Sequence, residues 1–193
     1  MTELILVRHG ATQASFSGVY CGRLDLPLAR RGIADIKKAA RLLSKPRPDR
    51  VYCSELLRAR QTASLIAPGS QAIFLSSLRE MNFGAFEGKS ADEIKSRMPD
   101  AWQAYMDDYM SFTFPGGDNI KSYLTKTAAT LNSIIEKNDN RRVLIVSHKG
   151  FILSALSELL HGGSSHMFHY DIRPAGFARI EIVDGFSVLR QLI

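Results

Sequence analysis

The sequence predicts an α/β fold in which a mostly parallel sheet lies between two layers of helices. Short apolar runs alternate along the 193 residues with amphipathic helical patterns, which is typical of βαβ units. The C-terminal stretch FARIEIVDGFSVLRQLI instead reads as two alternating strands joined by Asp184-Gly185, a strong hairpin signal. We therefore expect a three-layer sandwich with an antiparallel edge on the sheet, formed by a single domain over residues 1–193.

Four apolar runs and the helical patterns between them give the order of the elements. The predicted strands are Leu4–Val7, Val51–Cys53, Ala72–Leu75 and Val143–Val146. The predicted helices run over about Ala29–Leu43, Glu55–Ala67, Asn119–Lys137 and Phe151–Leu160. Residues 81–118 differ from the rest, because they carry the only tryptophan and several other aromatic residues. We expect this segment, called the cap segment below, to form a small helical insert that closes over the domain.

The charge of the chain favours an anionic partner. The formal net charge is +6 at pH 7, but the densest basic cluster, between residues 30 and 41, alternates with apolar residues at helical spacing. We interpret it as the solvated face of a helix, and we expect neither nucleic acid nor a membrane as a partner. The two cysteines, Cys21 and Cys53, are too few for a disulfide framework. No apolar run is long enough to cross a bilayer, so a cytoplasmic location is expected.

Polar residues follow three of the predicted strands at the point where each one ends. Arg8 and His9 close the first strand. Arg58 comes one helical turn after the end of the second strand, and His148 directly follows the fourth. Because ligands of open α/β sheets bind outside the carboxyl ends of the strands, we expect these side chains to meet at one edge. Two guanidinium groups and two imidazoles suit a phosphate dianion, since each guanidinium offers a fork of donors to its oxygens.

Each of these residues also has an ordinary structural interpretation. Arg8 and His9 could be the polar end of a strand, and Arg58 could pair with a helix carboxylate such as Glu55. His148 could be a buried histidine whose hydrogen bonds are satisfied. The coincidence of all four at one sheet edge favours a catalytic site. Histidine is uncharged and nucleophilic when nearby arginines favour its neutral form, which suits it to attack phosphorus.

Four motifs, LVRHGAT, CSELLRARQTA, LREMNFGAFEG and VSHKG, together resemble the motif set of the histidine phosphatase superfamily, also called the phosphoglycerate mutase-like family. They occur in the order of that family and cover nearly the whole chain. The resemblance implies the fold of the family and a phosphohistidine mechanism in which His9 attacks phosphorus. Arg8, Arg58 and His148 would then hold the phosphate oxygens. Glu80 would protonate the leaving alkoxide and afterwards deprotonate the attacking water.

The resemblance also implies contacts around the phosphate. It places Ser15, Cys21 and Gly22 at the phosphate or the substrate, with the Gly22 amide against the phosphate. It implies no metal and no other cofactor, because the arginines and histidines supply the positive charge. Glu87 is the carboxylate that competes with Glu80 for the role of acid, and the register of the family favours Glu80.

The chain departs from the family pattern at three positions that belong to the periphery of the substrate. Ala11 and Asp118 stand where the family has glutamates, and Ser15 stands where it has an asparagine. The stretches GVYCGRLDLPLARRGI and DRVYCSELLRARQTA resemble, within the family, phosphatases of cobalamin nucleotide-loop assembly. We therefore expect hydrolysis of a small-molecule phosphate monoester. The sequence is compatible with a homodimer as well as with a monomer. A mutase, a broad-specificity or protein phosphatase, and a catalytically silent phospholigand-binding module are the rival interpretations.

Two further clusters have both a structural and a functional interpretation. His161, His166 and His169 could form a metal site, but the lack of accompanying cysteines and carboxylates other than Asp171 favours a surface loop. Four aromatic residues of the cap segment recur at helical spacing, and these are Trp102, Tyr105, Tyr109 and Phe112. We expect them to pack among the cap helices rather than to form a stacking platform for an aromatic base.

Overall fold

The structure, a computed structural model, describes residues 1–193 and contains six strands, seven α-helices and three short 3-10 helices. The strands are β1 (Thr2–Arg8), β2 (Arg50–Ser54), β3 (Ala72–Leu75), β4 (Arg142–Ser147), β5 (Phe177–Val183) and β6 (Phe186–Leu192). The α-helices are α1 (Gln13–Ser17), α2 (Arg30–Leu42), α3 (Leu57–Ile66), α4 (Ala91–Arg97), α5 (Pro99–Asp107), α6 (Ile120–Glu136) and α7 (Lys149–His161). The 3-10 helices are Ser76–Leu78, Gly84–Phe86 and Ser164–His169. Every predicted strand and helix is present, shifted by only a few residues at its ends.

All six strands form one sheet in the order β3-β2-β4-β1-β5-β6. Strands β1 to β4 run parallel, whereas β5 is antiparallel to β1 and β6 is antiparallel to β5. The last two strands turn at Asp184 and Gly185, whose φ angles of 49° and 82° are those that a tight hairpin turn requires. The predicted α/β fold, with a mostly parallel sheet and an antiparallel edge, is therefore confirmed.

Helices cover both faces of the sheet and bury two cores of unequal size. On one face, α2 and α3 pack over a core of 14 buried residues, among them Ile36 and Ala63. On the other face, α6, α7 and the cap segment share a core of 24 buried residues, among them Phe86 and Phe151. Strand β4 lies in the middle of the sheet and is buried along its whole length, which explains its uninterrupted apolar run.

The cap segment contains α4, α5 and the 3-10 helix Gly84–Phe86. The Ser90 hydroxyl begins α4 by accepting a hydrogen bond from the Glu93 amide at 3.2 Å, and Pro99 occupies the first turn of α5. The sequence does not predict α1, because its five residues are too few to show a helical period. No helix of the chain combines the length and the apolar character that a membrane crossing requires.

The carboxyl ends of β1, β2 and β4 meet at one edge of the sheet, because β4 lies between the other two strands. The His9 amide donates to the Ser147 carbonyl at 3.0 Å, which ties the residue after β1 to the end of β4. The chain then passes very close to α2 at Gly10, where a Cβ atom would lie 2.9 Å from the Gly32 carbonyl oxygen. This edge therefore collects the side chains that the sequence predicts for the site.

Candidate active site

His9 lies directly after β1 at this edge and is only 7% exposed. Its Nδ1 is 2.7 Å from the Gly10 carbonyl oxygen, which can only accept a hydrogen bond, so Nδ1 carries the ring proton. Nε2 is then unprotonated and accepts a hydrogen bond from Arg58 Nε at 3.2 Å. Burial, and secondarily the charge of Arg58, lowers the pKa of His9 to about 3. The imidazole is therefore neutral, with a lone pair on Nε2, throughout the neutral pH range.

Arg58 reaches this imidazole from α3 and is completely buried. Its Nη1 donates to the Leu24 carbonyl and its Nη2 to the Gly22 carbonyl, both at 2.7 Å. Glu55, the alternative partner that the sequence leaves open, pairs with Arg79 instead. The hydrogen-bond partners of Arg58 are thus all uncharged, and its positive charge is available to an anion beside His9.

His148 and Arg8 each present a buried nitrogen that has no protein partner. The Ser54 hydroxyl accepts from the Leu56 amide at 3.4 Å and lies 2.8 Å from His148 Nε2, to which it can give its proton. The ring proton of His148 is then on Nδ1, which is the unpartnered atom. Arg8 donates from Nη1 to the Ile172 carbonyl at 2.7 Å, while its Nε is unpartnered. Buried donors without a partner are rare in proteins, so both nitrogens are candidates for binding an anion.

The two imidazoles of the site lie close together. The ring centroids of His9 and His148 are 5.0 Å apart, with the ring planes at 59°. Burial, and then the charges of His9 and Arg58, lowers the pKa of His148 well below its ordinary value. His148 therefore stays neutral at physiological pH and offers one donor, at Nδ1.

Glu80 lines the same cavity as His9 and is only 8% exposed. Its Oε1 accepts from the Tyr123 hydroxyl at 3.2 Å and from the Met81 amide at 3.1 Å. Its Oε2 accepts from the Gly150 amide at 3.1 Å, and a Cβ atom on Gly150 would lie 2.4 Å from Oε1. The carboxyl group is thus held by three donors, and the absence of a side chain at Gly150 makes room for it.

Glu87, the competing carboxylate, has a different environment. It accepts hydrogen bonds from the amides of Gly22 at 3.0 Å, Arg23 at 2.7 Å and Phe83 at 3.1 Å. It therefore joins the loop that follows Cys21 to the beginning of the cap segment, and it does not line the cavity. The structure corrects the prediction that the Gly22 amide contacts phosphate, because Glu87 occupies that amide. Gly22 contributes to the site through its carbonyl, which holds Arg58.

A cavity of about 350 Å³ opens over these residues. Arg8, His9 and Glu80 lie at its floor, and Ser15 and Cys21 also line it. Arg58 and His148 are completely buried and lie directly behind His9 rather than on the cavity surface. The structure thus brings all five predicted catalytic side chains together, with three of them facing the cavity.

Aromatic side chains also line the cavity, and these are Tyr20, Phe83, Tyr105, Tyr109 and Phe168. All four aromatic residues singled out in the cap segment pack against the larger core, which confirms the predicted packing. Tyr105 and Tyr109 in addition face the cavity, which helical spacing alone does not predict. The sequence gives no signal for Phe168, because a 3-10 helix distant from the cap segment carries it to this wall.

One further charged residue, Lys149, belongs to the cavity, whereas the positions that depart from the family pattern differ in where they lie. Lys149 begins α7, lines the cavity and pairs with Asp171 at 2.6 Å. Lys149 is not among the site residues predicted from the sequence. The signal is present, because the motif VSHKG places this lysine directly after His148 at the end of a strand. Asp118, one of the departures from the family pattern, accepts from the Asn82 amide at 2.8 Å and lies outside the cavity. Ala11, another departure, is buried.

The three histidines near the end of α7 gather at the surface. The rings of His161 and His166 stack with centroids 4.4 Å apart, and those of His166 and His169 are 5.2 Å apart. His161 Nε2 lies 2.8 Å from the Tyr170 hydroxyl. His161 and His169 are exposed, and the three rings do not form a group that could hold a metal ion.

The site combines a neutral imidazole whose Nε2 is unprotonated, two guanidinium groups and a carboxyl group at the carboxyl edge of an α/β sheet. These are the features of an enzyme that transfers phosphoryl groups through histidine. The family model of the histidine phosphatase superfamily (branch 1) matches residues 4–192. The chain therefore belongs to the histidine phosphatase superfamily, and it is a phosphatase.

Similar proteins of known name span nearly the whole chain. The adenosylcobalamin/alpha-ribazole phosphatase of Salmonella typhimurium is 30% identical over 192 residues, which cover 98% of this chain and 95% of that protein. The crystal structure of the alpha-ribazole phosphatase from Shigella flexneri matches with a TM-score of 0.93 at 28% identity, over 98% of this chain and 95% of that one. A phosphoserine phosphatase from Entamoeba histolytica matches with a TM-score of 0.86 at 26% identity, over 100% and 96%.

Proposed function

We propose that the chain hydrolyses α-ribazole 5'-phosphate, or the related adenosylcobalamin 5'-phosphate, in cobalamin nucleotide-loop assembly. In this proposal the enzyme needs no metal and forms a phosphohistidine on His9. The observation that carries the mechanism is the state of the His9 ring, whose proton is on Nδ1 and whose Nε2 is a free base. A small-molecule phosphate monoester is accordingly the proposed partner.

In the first step, His9 Nε2 forms a bond to phosphorus while the P–O bond to the leaving group breaks. Arg58 Nε must turn from Nε2 towards a phosphate oxygen, which keeps its charge beside the reacting atoms. Glu80, protonated at the start, gives its proton to the leaving oxygen. The unpartnered donors Arg8 Nε and His148 Nδ1 stabilise the charge on the phosphate oxygens.

In the second step, water attacks the phosphohistidine while the Glu80 carboxylate takes one of its protons. The N–P bond breaks, inorganic phosphate leaves, and His9 returns to the neutral form that burial favours. Glu80 has then regained the proton that it gave away, so the enzyme is ready for another cycle. The guanidinium and imidazole groups supply the positive charge in both steps, which is why no metal ion takes part in the proposal.

The choice of substrate is supported by the relatives and by the lining of the cavity. The Salmonella typhimurium protein named for adenosylcobalamin and alpha-ribazole aligns with nearly all of this chain. In addition, 11 of the 19 residues that line the cavity are hydrophobic. Such a lining suits an uncharged nucleoside leaving group better than the charged serine of phosphoserine or the carboxylate of 3-phosphoglycerate, because burying a charge among apolar side chains is costly.

A panel of phosphomonoesters tests the proposed substrate. We expect kcat/KM for α-ribazole 5'-phosphate to exceed the values for phosphoserine, 3-phosphoglycerate and a phosphopeptide. A higher value for any of these three would contradict the substrate assignment. Isomerisation of 3-phosphoglycerate without release of phosphate would instead indicate a mutase.

The His9→Ala variant tests the nucleophile. Phosphate release should fall by at least about 1000-fold, because the proposed covalent intermediate forms on the His9 imidazole. The matched control is His161→Ala, which removes an exposed histidine outside the cavity and should retain full activity. Substantial turnover by His9→Ala would overturn the assignment, and phosphate release absent from the wild type would favour the silent binding module.

A further inference from the structure

The floor and the mouth of the cavity differ in exposure. His9 and Glu80, at the floor, are 7% and 8% exposed, whereas Phe168, which lines the same cavity, is 63% exposed. An exposed phenylalanine adds little to the stability of the fold, since most of its surface stays in contact with water. Apolar side chains at the rim of a pocket are instead typical of sites that bind a ligand.

Tyr109 and Phe168 meet at this mouth from two separate segments. Tyr109 follows α5 in the cap segment, and Phe168 lies on the 3-10 helix that follows α7. Their ring centroids are 5.2 Å apart and the ring planes lie at 67°, so the contact is edge to face. Phe168 is 63% exposed, so its ring can stack on a third planar group, whereas Tyr109 also contacts the Tyr105 ring at a centroid distance of 5.3 Å and supports Phe168 from the cap segment.

The direction of the reaction leads the leaving group towards these two rings. In-line displacement expels it away from His9, and Glu80 has to lie next to it in order to protonate it. Tyr109 and Phe168 line the same cavity as Glu80. A leaving group that contacts Glu80 and fills this cavity therefore reaches the wall that the two rings form.

We propose that Tyr109 and Phe168 form an aromatic clamp that binds the planar base of a nucleoside leaving group. This inference rests on the proposed function and adds the residues that select its substrate class. A fused heteroaromatic base stacks on aromatic side chains through its π-face, largely independently of its hydrogen-bonding pattern. The clamp thus favours nucleoside monophosphates over phosphates of sugars or amino acids that end at the floor of the cavity.

The test compares α-ribazole 5'-phosphate with ribose 5-phosphate, which has the same phosphoribosyl end and no base. In the wild type we expect kcat/KM to be higher for α-ribazole 5'-phosphate. Phe168→Ala should lower kcat/KM for that substrate about 10-fold, mostly through KM, because one stacking contact is lost. The value for ribose 5-phosphate should change by less than about 2-fold, since the variant removes no contact to the phosphate or to Glu80.

Further variants separate stacking from mere apolar contact and from folding. Tyr109→Phe keeps the ring and should keep the ratio of kcat/KM for α-ribazole 5'-phosphate to that for ribose 5-phosphate. Tyr109→Leu should lower this ratio, as Phe168→Ala does. Phe168→Leu keeps an apolar side chain without a ring and should also lower it. The matched control is Phe186→Ala, which truncates a phenylalanine that is 76% exposed on the C-terminal hairpin, outside the cavity.

The outcomes distinguish the clamp from the function on which it rests. If the wild type prefers α-ribazole 5'-phosphate and Phe168→Ala or Phe168→Leu keeps that preference, the clamp is overturned and the proposed function stands. Equal losses on both substrates would overturn the clamp as well. If the wild type hydrolyses other phosphomonoesters through His9 but does not prefer α-ribazole 5'-phosphate, the proposed substrate fails and the clamp fails with it.

Discussion

The floor and the mouth of the cavity hold their side chains in different ways. Directly behind the floor, Arg58 donates to three carbonyls and an imidazole, and at the floor Glu80 accepts from a hydroxyl and two amides. At the mouth, Tyr109 and Phe168 meet only through their rings, and Phe168 is largely exposed. A buried group fixed by several hydrogen bonds cannot be exchanged without leaving polar partners unsatisfied, whereas an exposed ring can be replaced at little cost.

This difference separates the groups that the chemistry of any phosphomonoester needs from the groups that contact one particular leaving group. The floor positions a nucleophile, its anion-binding groups and an acid, which any phosphomonoester needs. In the proposed reaction, the side chains at the mouth contact only the leaving group. Proteins named for alpha-ribazole and for phosphoserine share the fold of this chain, so the fold alone does not determine the substrate. Substrate choice is therefore expected to depend on the mouth.

After the loss of the nucleophile itself, the largest effect is expected at Glu80, where the floor meets the leaving group. Glu80→Gln should lower kcat about 100-fold or more for an alkyl phosphate, because the leaving alkoxide then departs without a proton. The loss should be much smaller for p-nitrophenyl phosphate, whose leaving group needs no proton. Steady-state kinetics of the wild type and the variant on both substrates measure the two losses in kcat, which can then be compared.

Glu87→Gln is the matched control for this prediction. Glu87 holds three backbone amides and touches no part of the cavity, so its loss should affect both substrates by the same factor. Equal losses on the two substrates in Glu80→Gln would contradict the role of Glu80 as the acid. A loss in Glu87→Gln that depends on the leaving group would transfer that role to Glu87.

A smaller effect is expected at Ser54, which lies behind the floor. Ser54→Ala removes the hydroxyl that keeps the proton of His148 on Nδ1, and we expect kcat/KM to fall about 10-fold for every substrate. Nitrogen-15 NMR of the imidazole should show protonation shifting from Nδ1 towards Nε2. Ser147→Ala, in which a buried serine loses a 2.8 Å hydrogen bond to the Leu78 carbonyl, should destabilise the protein without changing the tautomer. An unchanged tautomer in Ser54→Ala would refute this positioning role.

The last effect concerns stability rather than rate, and it is a dependence of the free energy of unfolding on pH at the floor. In the unfolded chain His9 binds a proton below about pH 6.5, whereas in the folded protein it stays neutral down to about pH 3. The unfolded state therefore gains protons first, and the free energy of unfolding falls as the pH falls through this window. Between pH 6.5 and 5 the wild type should lose about 1.5 kcal/mol more than His9→Gln does. Denaturant unfolding at several pH values measures the difference, and parallel curves for the two proteins would contradict it.

Much of the floor can be predicted from the sequence, because its residues follow strands that the apolar pattern identifies. Arg8, His9 and His148 directly close strands, and parallel strands bring such ends together. The role of Gly22 is predicted incorrectly, because its amide is occupied by Glu87, which is distant in sequence. The position of Phe168 cannot be predicted, since only tertiary packing brings its 3-10 helix to the cap segment.

The place of β4 between β1 and β2 determines when the site can form during synthesis. His9 and Arg58 belong to the first third of the chain, but β1 and β2 share no hydrogen bonds, and each pairs with β4. As the polypeptide leaves the ribosome from its N-terminus, the two strands have no common neighbour until residues 142–147 emerge. The nascent chain thus carries its nucleophile without the partners that activate it until β4 has been made and can join the two strands.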